Sequence, residues 1–144
     1  MKHTSLPCLC ASFRRASRAL TQLYDADLRP TGLRVTQFTV LQALSLAGEI
    51  SQKQLGALLA MDSTTLTRTL GLLVKEGWIA ERRGADRRER QLRLSPAGRR
   101  RLDRATPVWQ GVQRRLASRF GTRRWQELFN VATELLDGAA SLER

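Results

Sequence analysis

Arginine is the residue type whose number and spacing in this chain point most clearly to a chemistry. The 144 residues include 22 Arg and 3 Lys against 13 Asp and Glu, which gives a net charge of +12. Ten of the arginines lie between positions 82 and 104, where three carboxylates accompany them. Guanidinium groups bind phosphates and base edges through paired hydrogen bonds. A GC-rich genome would also favour Arg over Lys, so the position of the arginines, which is typical of nucleic-acid binding, is more informative than their number.

Histidine and cysteine are scarce. The chain has one histidine, His3, and two cysteines, Cys8 and Cys10. Ser–His and Cys–His catalysis need a histidine beside the nucleophile, and these three residues fall short of a four-ligand zinc set. We therefore expect no enzymatic activity, no metal site and no cofactor. A thiol peroxidase that uses Cys10 is the remaining enzymatic alternative.

The length and hydropathy of the chain predict one domain over residues 1–144. A domain has about 100–200 residues, and no run approaches the roughly 18 apolar residues of a membrane span. The short apolar segment near the N-terminus leads into two arginines without a small-residue cleavage site, so we do not expect a signal peptide. The expected location is the cytoplasm, with no membrane partner.

Helical periodicity and capping residues predict the elements that must position the arginines. Apolar residues recur every three or four positions over about residues 10–28 and 36–46, which predicts two amphipathic helices. Ser51 and Gln54 form a capping box at the start of a short helix. Asp62 caps another helix a few residues later. Two capped helices separated by about three residues predict a helix-turn-helix motif.

A β-hairpin and two long helices follow this motif. Polar and apolar residues alternate over residues 91–95 and more loosely over residues 78–83, and an arginine-rich turn joins them. Ser95 is placed to cap the next helix, and Thr122 to cap the last one. The predicted fold class is mainly α with a small β-hairpin wing, that is, a winged helix-turn-helix flanked by N- and C-terminal helices.

The second helix of the motif has an outward face suited to DNA. Leu66, Leu70 and Leu73 form its buried stripe, so polar residues occupy the opposite side. Small hydroxyl side chains would let the helix enter a major groove about 12 Å wide, where Arg68 can bind guanine O6 and N7. A merely solvated face is the alternative, and the neighbouring arginine-rich hairpin disfavours it. The predicted contacts on this helix are Ser63, Thr64, Thr65, Thr67, Arg68 and Lys75.

Two short motifs identify a family resemblance over residues 51–101. Asp86-Arg87-Arg88 is similar to a D-x-R wing signature, and residues 94–98 are similar to an L-T-x-x-G strand-to-helix junction. Both are features of the multiple-antibiotic-resistance regulator (MarR) family of winged-helix proteins, which the chain resembles over essentially its whole length.

The resemblance implies roles for the wing residues. By this pattern Arg88 enters a minor groove, and Asp86 orients it through a salt bridge. Arg87 and Arg90 are further predicted DNA contacts. As an alternative, the wing arginines contact phosphates alone.

The resemblance also implies a homodimer with interlocking terminal helices. Trp109, Trp125 and Phe129 support it independently, because a small DNA-binding core cannot cover so much apolar surface. A two-fold dimer presents two recognition helices about 34 Å apart and selects pseudo-palindromic double-stranded DNA. The implied DNA-binding lobe covers about residues 33–100, and the dimerisation lobe about residues 8–30 and 96–142.

The cysteines resemble those of the family's organic-hydroperoxide-sensing branch. That branch carries a reactive cysteine early in the first helix and Leu-Tyr at a fixed distance, which Cys10 and Leu23-Tyr24 reproduce. The resemblance implies Cys10, with Cys8 and Tyr24, as a candidate redox sensor that is oxidised to a sulfenic acid. The branch's tyrosine before the second helix is Val35 here. Inert packing and metal ligation are the alternatives for the thiols.

These features together predict a sequence-specific transcriptional regulator. The expected form is a homodimeric repressor released by thiol oxidation or by a small-molecule inducer. A non-specific architectural DNA-binding protein would use the same basic patch and is the alternative of a different class.

Overall fold

The fold is mainly helical with one small sheet, as predicted. The computed structural model describes residues 7–142, and this part has six α-helices, a 3-10 turn and three strands. The elements are α1 (Leu9–Leu28), the 3-10 turn (Arg29–Thr31), α2 (Val35–Ala47), β1 (Ile50–Ser51), α3 (Gln52–Leu59), α4 (Ser63–Lys75), β2 (Ile79–Arg83), β3 (Arg90–Leu94), α5 (Pro96–Phe120) and α6 (Thr122–Leu142). No helix between residues 7 and 142 has the combination of length and apolar character that a membrane crossing requires.

The chain divides into two compact units, with the boundary inside α5 after Trp109. The first unit holds the winged helix, and its core is built from the end of α1, from α2, α3, α4 and the sheet, and from the start of α5, with Phe38 fully buried. The rings of Phe38 and Trp109 stack with their centroids 5.4 Å apart. The second unit consists of the end of α5 and of α6, where Trp125 and Phe129 meet edge to face at 5.0 Å.

The sheet has three strands where the sequence predicted a two-stranded hairpin. Its order is β1-β3-β2, and both pairings are antiparallel. Ile50 pairs with Leu92 and Ser51 with Gln91. Strand β1 was missed because two residues are too few to show alternation. Its consequence is that the start of α3 is fixed to the middle strand of the wing.

The capping residues of the helix-turn-helix form the predicted hydrogen bonds. The backbone N–H of Gln54 donates to Ser51 Oγ, and the N–H of Ser51 donates to Gln54 Oε1, both at 3.1 Å. At the end of α4, Gly77 has a φ of 73° and the N–H of Trp78 donates to the carbonyl of Leu73 at 2.9 Å. This is the predicted Schellman ending.

The prediction that Thr122 caps the last helix was wrong. Thr122 is the first residue of α6, and the carbonyl of Gly121 accepts from the N–H of Trp125 at 2.9 Å. The N–H of Gly121 also donates to Ala117 at the end of α5. Gly121 ends α5 and begins α6 because its φ of 79° lies in the left-handed region, which glycine adopts readily.

A close backbone contact fixes the start of α5 against the base of the wing. The N–H of Ser95 donates to the carbonyl of Trp78 at 3.0 Å, and the Ser95 hydroxyl accepts from the N–H of Gly98, also at 3.0 Å. A Cβ atom on Gly98 would lie 2.0 Å from the same Trp78 carbonyl oxygen. The predicted N-cap at Ser95 is thus confirmed, and the glycine of this junction is explained by the approach of two backbones.

Candidate nucleic-acid interface

Helix α4 presents one polar face to solvent. Leu66, Leu70 and Leu73 are buried against the core, as the periodicity predicted. The structure places all six predicted contacts of this helix at exposed positions, namely Ser63, Thr64, Thr65, Thr67, Arg68 and Lys75. Leu72 is also exposed on this helix.

Asp62 and Thr65 hold the first turn of α4. Asp62 Oδ1 accepts from the backbone N–H of Thr65 at 2.9 Å, and Asp62 Oδ2 accepts from the Thr65 hydroxyl at 2.6 Å. These hydrogen bonds lower the pKa of the Asp62 carboxyl, because they stabilise its charged form. The hydroxyl proton of Thr65 is therefore used in capping, whereas Ser63 and Thr64 stand beside it on the same exposed turn.

The wing tip is a tight turn that projects two arginines. The N–H of Glu89 donates to the carbonyl of Asp86 at 2.9 Å, so Arg87 and Arg88 occupy the two central positions of a β-turn. Asp86 Oδ1 accepts from the backbone N–H of Arg88 at 3.0 Å. Within residues 7–142, neither Arg87 nor Arg88 forms an ion pair.

This geometry corrects the predicted salt bridge between Asp86 and Arg88. The carboxylate holds the backbone of the turn, as Asp does at the first position of many turns, and leaves the Arg88 guanidinium unengaged. The Asp86 carboxylate lies two residues before Arg88, so it reaches the backbone N–H of Arg88 more readily than the outward-pointing guanidinium of the same residue.

The arginines lower on the wing are paired with carboxylates. Arg82 donates to both carboxylate oxygens of Glu49, and these contacts lower the pKa of Glu49. Arg90 forms an ion pair with Glu81 on the adjacent strand. Arg90 was predicted as a DNA contact, and the structure gives it a second function within the sheet. The paired arginines are engaged within the fold, while those of the tip remain available.

Two depressions lie beside the wing. A cavity of about 480 Å³ is lined by Glu81 and by five arginines of β2, the tip and β3. Another, of about 250 Å³, lies between the start of α3 and the wing, with Gln52, Lys53 and Arg88 among its lining residues. Sequence reasoning missed Gln52 and Lys53. The capping box at Ser51 could have identified them, because it places the next two residues on the exposed first turn of α3.

The structure does not bring the candidate redox residues together within one chain. Cys8 and Cys10 are exposed and free at the start of α1. Tyr24 follows Cys10 by fourteen positions of the same helix, a rise of about 21 Å. Tyr24 packs partly buried against the core, and this burial raises the pKa of its phenol. His3 lies outside the described residues, and the described part holds no group of three or more His, Cys, Asp or Glu placed to bind a metal.

Comparison with known proteins places this geometry in a family. Residues 31–89 match the MarR family. The chain is 35% identical to the transcriptional regulator MosR of M. tuberculosis, whose crystal structure is a complex with DNA; the match covers 95% of this chain and 99% of MosR, with a TM-score of 0.87. The chain belongs to the MarR family.

Two further proteins resemble the chain at lower sequence identity. The uncharacterised HTH-type transcriptional regulator YwoH of Bacillus subtilis is 31% identical over 87 residues, which are 60% of this chain and 64% of YwoH. The chain therefore spans just under two thirds of the length of this curated relative. A mutant form of MarR from E. coli, solved in complex with operator DNA, is 22% identical, with a TM-score of 0.79 over 89% of this chain and 93% of that one. This last likeness shows the shared fold.

Proposed function

We propose that this MarR-family chain is a transcriptional regulator that binds double-stranded DNA through α4 and the wing. The observation that carries the proposal is the pairing of an exposed polar helix face with a turn that projects two unpaired arginines, Arg87 and Arg88. A helix of this kind fits a major groove, and a basic turn fits the adjacent minor groove or the phosphates. The DNA complex of MosR, a relative with 35% identity, supports the same use of the fold.

The side chains divide the binding into recognition and attachment. Arg68 lies on the exposed face of α4, where its guanidinium would read guanine O6 and N7. The hydroxyls of Ser63 and Thr64 allow close approach, and Lys75 would contact a phosphate. At the wing tip, Arg88 would enter the minor groove while Arg87 contacts the backbone.

The proposed active form is a homodimer in which α1, α5 and α6 supply the interface. Helix α1 exposes Phe13 and Leu20, and α6 exposes Leu128, Phe129 and Leu136. Large apolar side chains exposed on a helix in this way are typical of an interface. A two-fold dimer would cover them and would read two half-sites about one DNA turn apart, hence a pseudo-palindrome.

The proposed activity is repression that an oxidant or a small inducer relieves. Cys10 is exposed near the start of α1, where an organic hydroperoxide can reach it. Attack of the thiolate on the peroxide would break the O–O bond and give a sulfenic acid and an alcohol, and a second thiol would then form a disulfide with loss of water. Because Cys10 and Tyr24 are far apart in one chain, a tyrosine beside the thiol would come from the partner subunit.

Competition binding tests the DNA function. A labelled native promoter fragment bound by the protein is challenged with bulk genomic DNA, and specific binding predicts a marked excess affinity for the promoter. Arg68→Ala should lower this excess by about tenfold or more at one base pair. Arg87→Ala should weaken all sequences alike and reduce the salt slope by about one. Arg29→Ala, at an exposed position of the 3-10 turn, is the control and should change neither.

The outcomes separate the proposed regulator from the alternatives. Equal affinity for promoter and bulk DNA would indicate an architectural protein. Equal losses on both DNAs for Arg68→Ala would remove its base-reading function. For the release step, hydroperoxide should free the promoter from the wild-type protein and leave Cys10→Ser bound; release of both would place the sensor elsewhere.

A further inference from the structure

Gln52 lies between α4, the proposed recognition helix, and the wing, and its side chain contacts both. It follows Ser51, which pairs with Gln91 of β3, so the next residue along β1 lies beside Arg90. This register places the first residue of α3 against the first residue of β3. Gln52 is half-buried there and lines the cavity of about 250 Å³ beside the wing.

The Gln52 amide joins the two elements through its opposite ends. Its Nε2 donates to the hydroxyl oxygen of Thr67 on α4 at 3.1 Å. Its Oε1 accepts from Nη1 of Arg90 at 3.5 Å, and Arg90 in turn pairs with Glu81 of β2. A continuous series of polar contacts therefore runs from the recognition helix to both long strands of the wing.

An amide of this length suits the two neighbours of this position. A carboxylate could accept from Arg90 but would need the Thr67 hydroxyl to act as the donor, and an ammonium would repel Arg90. Glutamine offers a donor and an acceptor at the same terminus, so one side chain can satisfy both neighbours. The observed orientation uses each end once.

We propose that Gln52 is a positioning residue that couples the placement of α4 to the placement of the wing. The inference rests on the proposed DNA-binding function and deepens it. When α4 binds in a major groove, the position of Thr67 is fixed with it. Through its contacts with Thr67 and Arg90, Gln52 then restricts the position of β3 and hence of the wing. A DNA contact by Arg68 then favours the wing position in which Arg88 can also bind DNA, and a contact by Arg88 favours the matching position of α4.

A double-mutant cycle measures this coupling. The affinity for the labelled promoter fragment is determined at low salt for wild type, Arg68→Ala, Arg88→Ala and the double variant. The same four measurements are then repeated in a Gln52→Ala background. With Gln52 present, the loss caused by Arg68→Ala should differ by about threefold or more depending on whether Arg88 is present. With Gln52→Ala, the two losses should be independent to within about twofold.

Three further variants separate positioning from a direct DNA contact or a folding defect. Thr67→Val removes the hydroxyl at the far end of the contact series and should abolish the coupling, whereas Thr67→Ser should retain it. Lys53→Ala is the matched control. It lies beside Gln52 on the same cavity, and it should lower affinity through lost charge while leaving the coupling unchanged.

The outcomes distinguish this inference from the function on which it rests. If neither Arg68→Ala nor Arg88→Ala weakens binding, both the DNA-binding proposal and the coupling are wrong. If both weaken binding but their coupling is absent in wild type, or persists in Gln52→Ala and Thr67→Val, the positioning function of Gln52 is wrong and the DNA-binding proposal stands. Uniform weakening by Gln52→Ala with unchanged coupling would indicate a phosphate contact.

Discussion

The substitution Gly98→Ala is the sharpest test of how the wing is fixed to α5. On helix propensity alone, alanine in place of a helical glycine should stabilise the protein by up to about 1 kcal/mol. The structure predicts the opposite. The new Cβ would lie 2.0 Å from the Trp78 carbonyl oxygen and 2.9 Å from Leu94 Cδ1. The nearer of these atoms belongs to the backbone and cannot rotate away.

The size of the effect follows from what must move. A carbon atom needs at least about 1 Å more separation from the oxygen, so the first turn of α5 has to shift away from Trp78. That shift weakens the hydrogen bonds of Ser95 to the carbonyls of Trp78 and Gly77, which contribute about 1 kcal/mol each. Overpacking adds about 1–3 kcal/mol, and the propensity gain offsets about 1 kcal/mol. We expect a net loss of about 2–4 kcal/mol.

Urea unfolding followed by circular dichroism measures this loss at one fixed protein concentration. The midpoint should fall while the denaturant slope stays the same. Gly71→Ala is the matched control, because it lies inside α4 with no atom within 4 Å of the added Cβ. It should be neutral or stabilising by up to about 1 kcal/mol. If Gly98→Ala behaved like Gly71→Ala, the backbone contact would have no energetic importance and the explanation of the glycine would fail.

Two other perturbations test the α4 cap and the base of the wing. The hydrogen bonds from Thr65 hold the pKa of Asp62 below its usual 3.8, so the cap stabilises the protein above that pH and the stabilisation is lost as the pH falls through the lowered value. The melting temperature of wild type should therefore exceed that of Asp62→Asn near neutrality and converge with it in acid; a constant difference would contradict this. Arg101→Lys removes a guanidinium that donates to Thr31 O at 2.7 Å and lies 4.6 Å from the Trp78 ring centre. It should cost about 1–2 kcal/mol and shift the Trp78 fluorescence, and unchanged melting would indicate that lysine restores both contacts.

The local chemistry of the helix-turn-helix was predictable because its signals lie within four residues of each other. Ser51 with Gln54 and Asp62 with Thr65 form caps that depend on the backbone nearby. The same logic failed at Thr122, since a hydroxyl residue after glycine looks like a cap. The backbone of Gly121 needs a positive φ to end α5, and this conformation also makes it the residue that begins α6.

The wing was harder to predict because its important partners are distant in sequence. Arg82 and Glu49 are 33 residues apart, and Arg90 and Gln52 are 38 residues apart. Both contacts depend on β1, whose two residues give no periodic signal. A count of arginines could therefore identify the wing as basic but could not separate the arginines that build it from those that remain available.

The division of the wing arginines into paired and unpaired ones changes how the charge of the wing should be understood. Arg82 and Arg90 each pair with a carboxylate, so they add little net positive charge to the wing. The tip differs, because the turn at Asp86 uses a carboxylate to hold backbone and leaves the guanidinium groups of Arg87 and Arg88 outward. Glu49 and Glu81 therefore support the proposed DNA binding indirectly, since without them the same positive charge would be carried by a strand pair that repels itself.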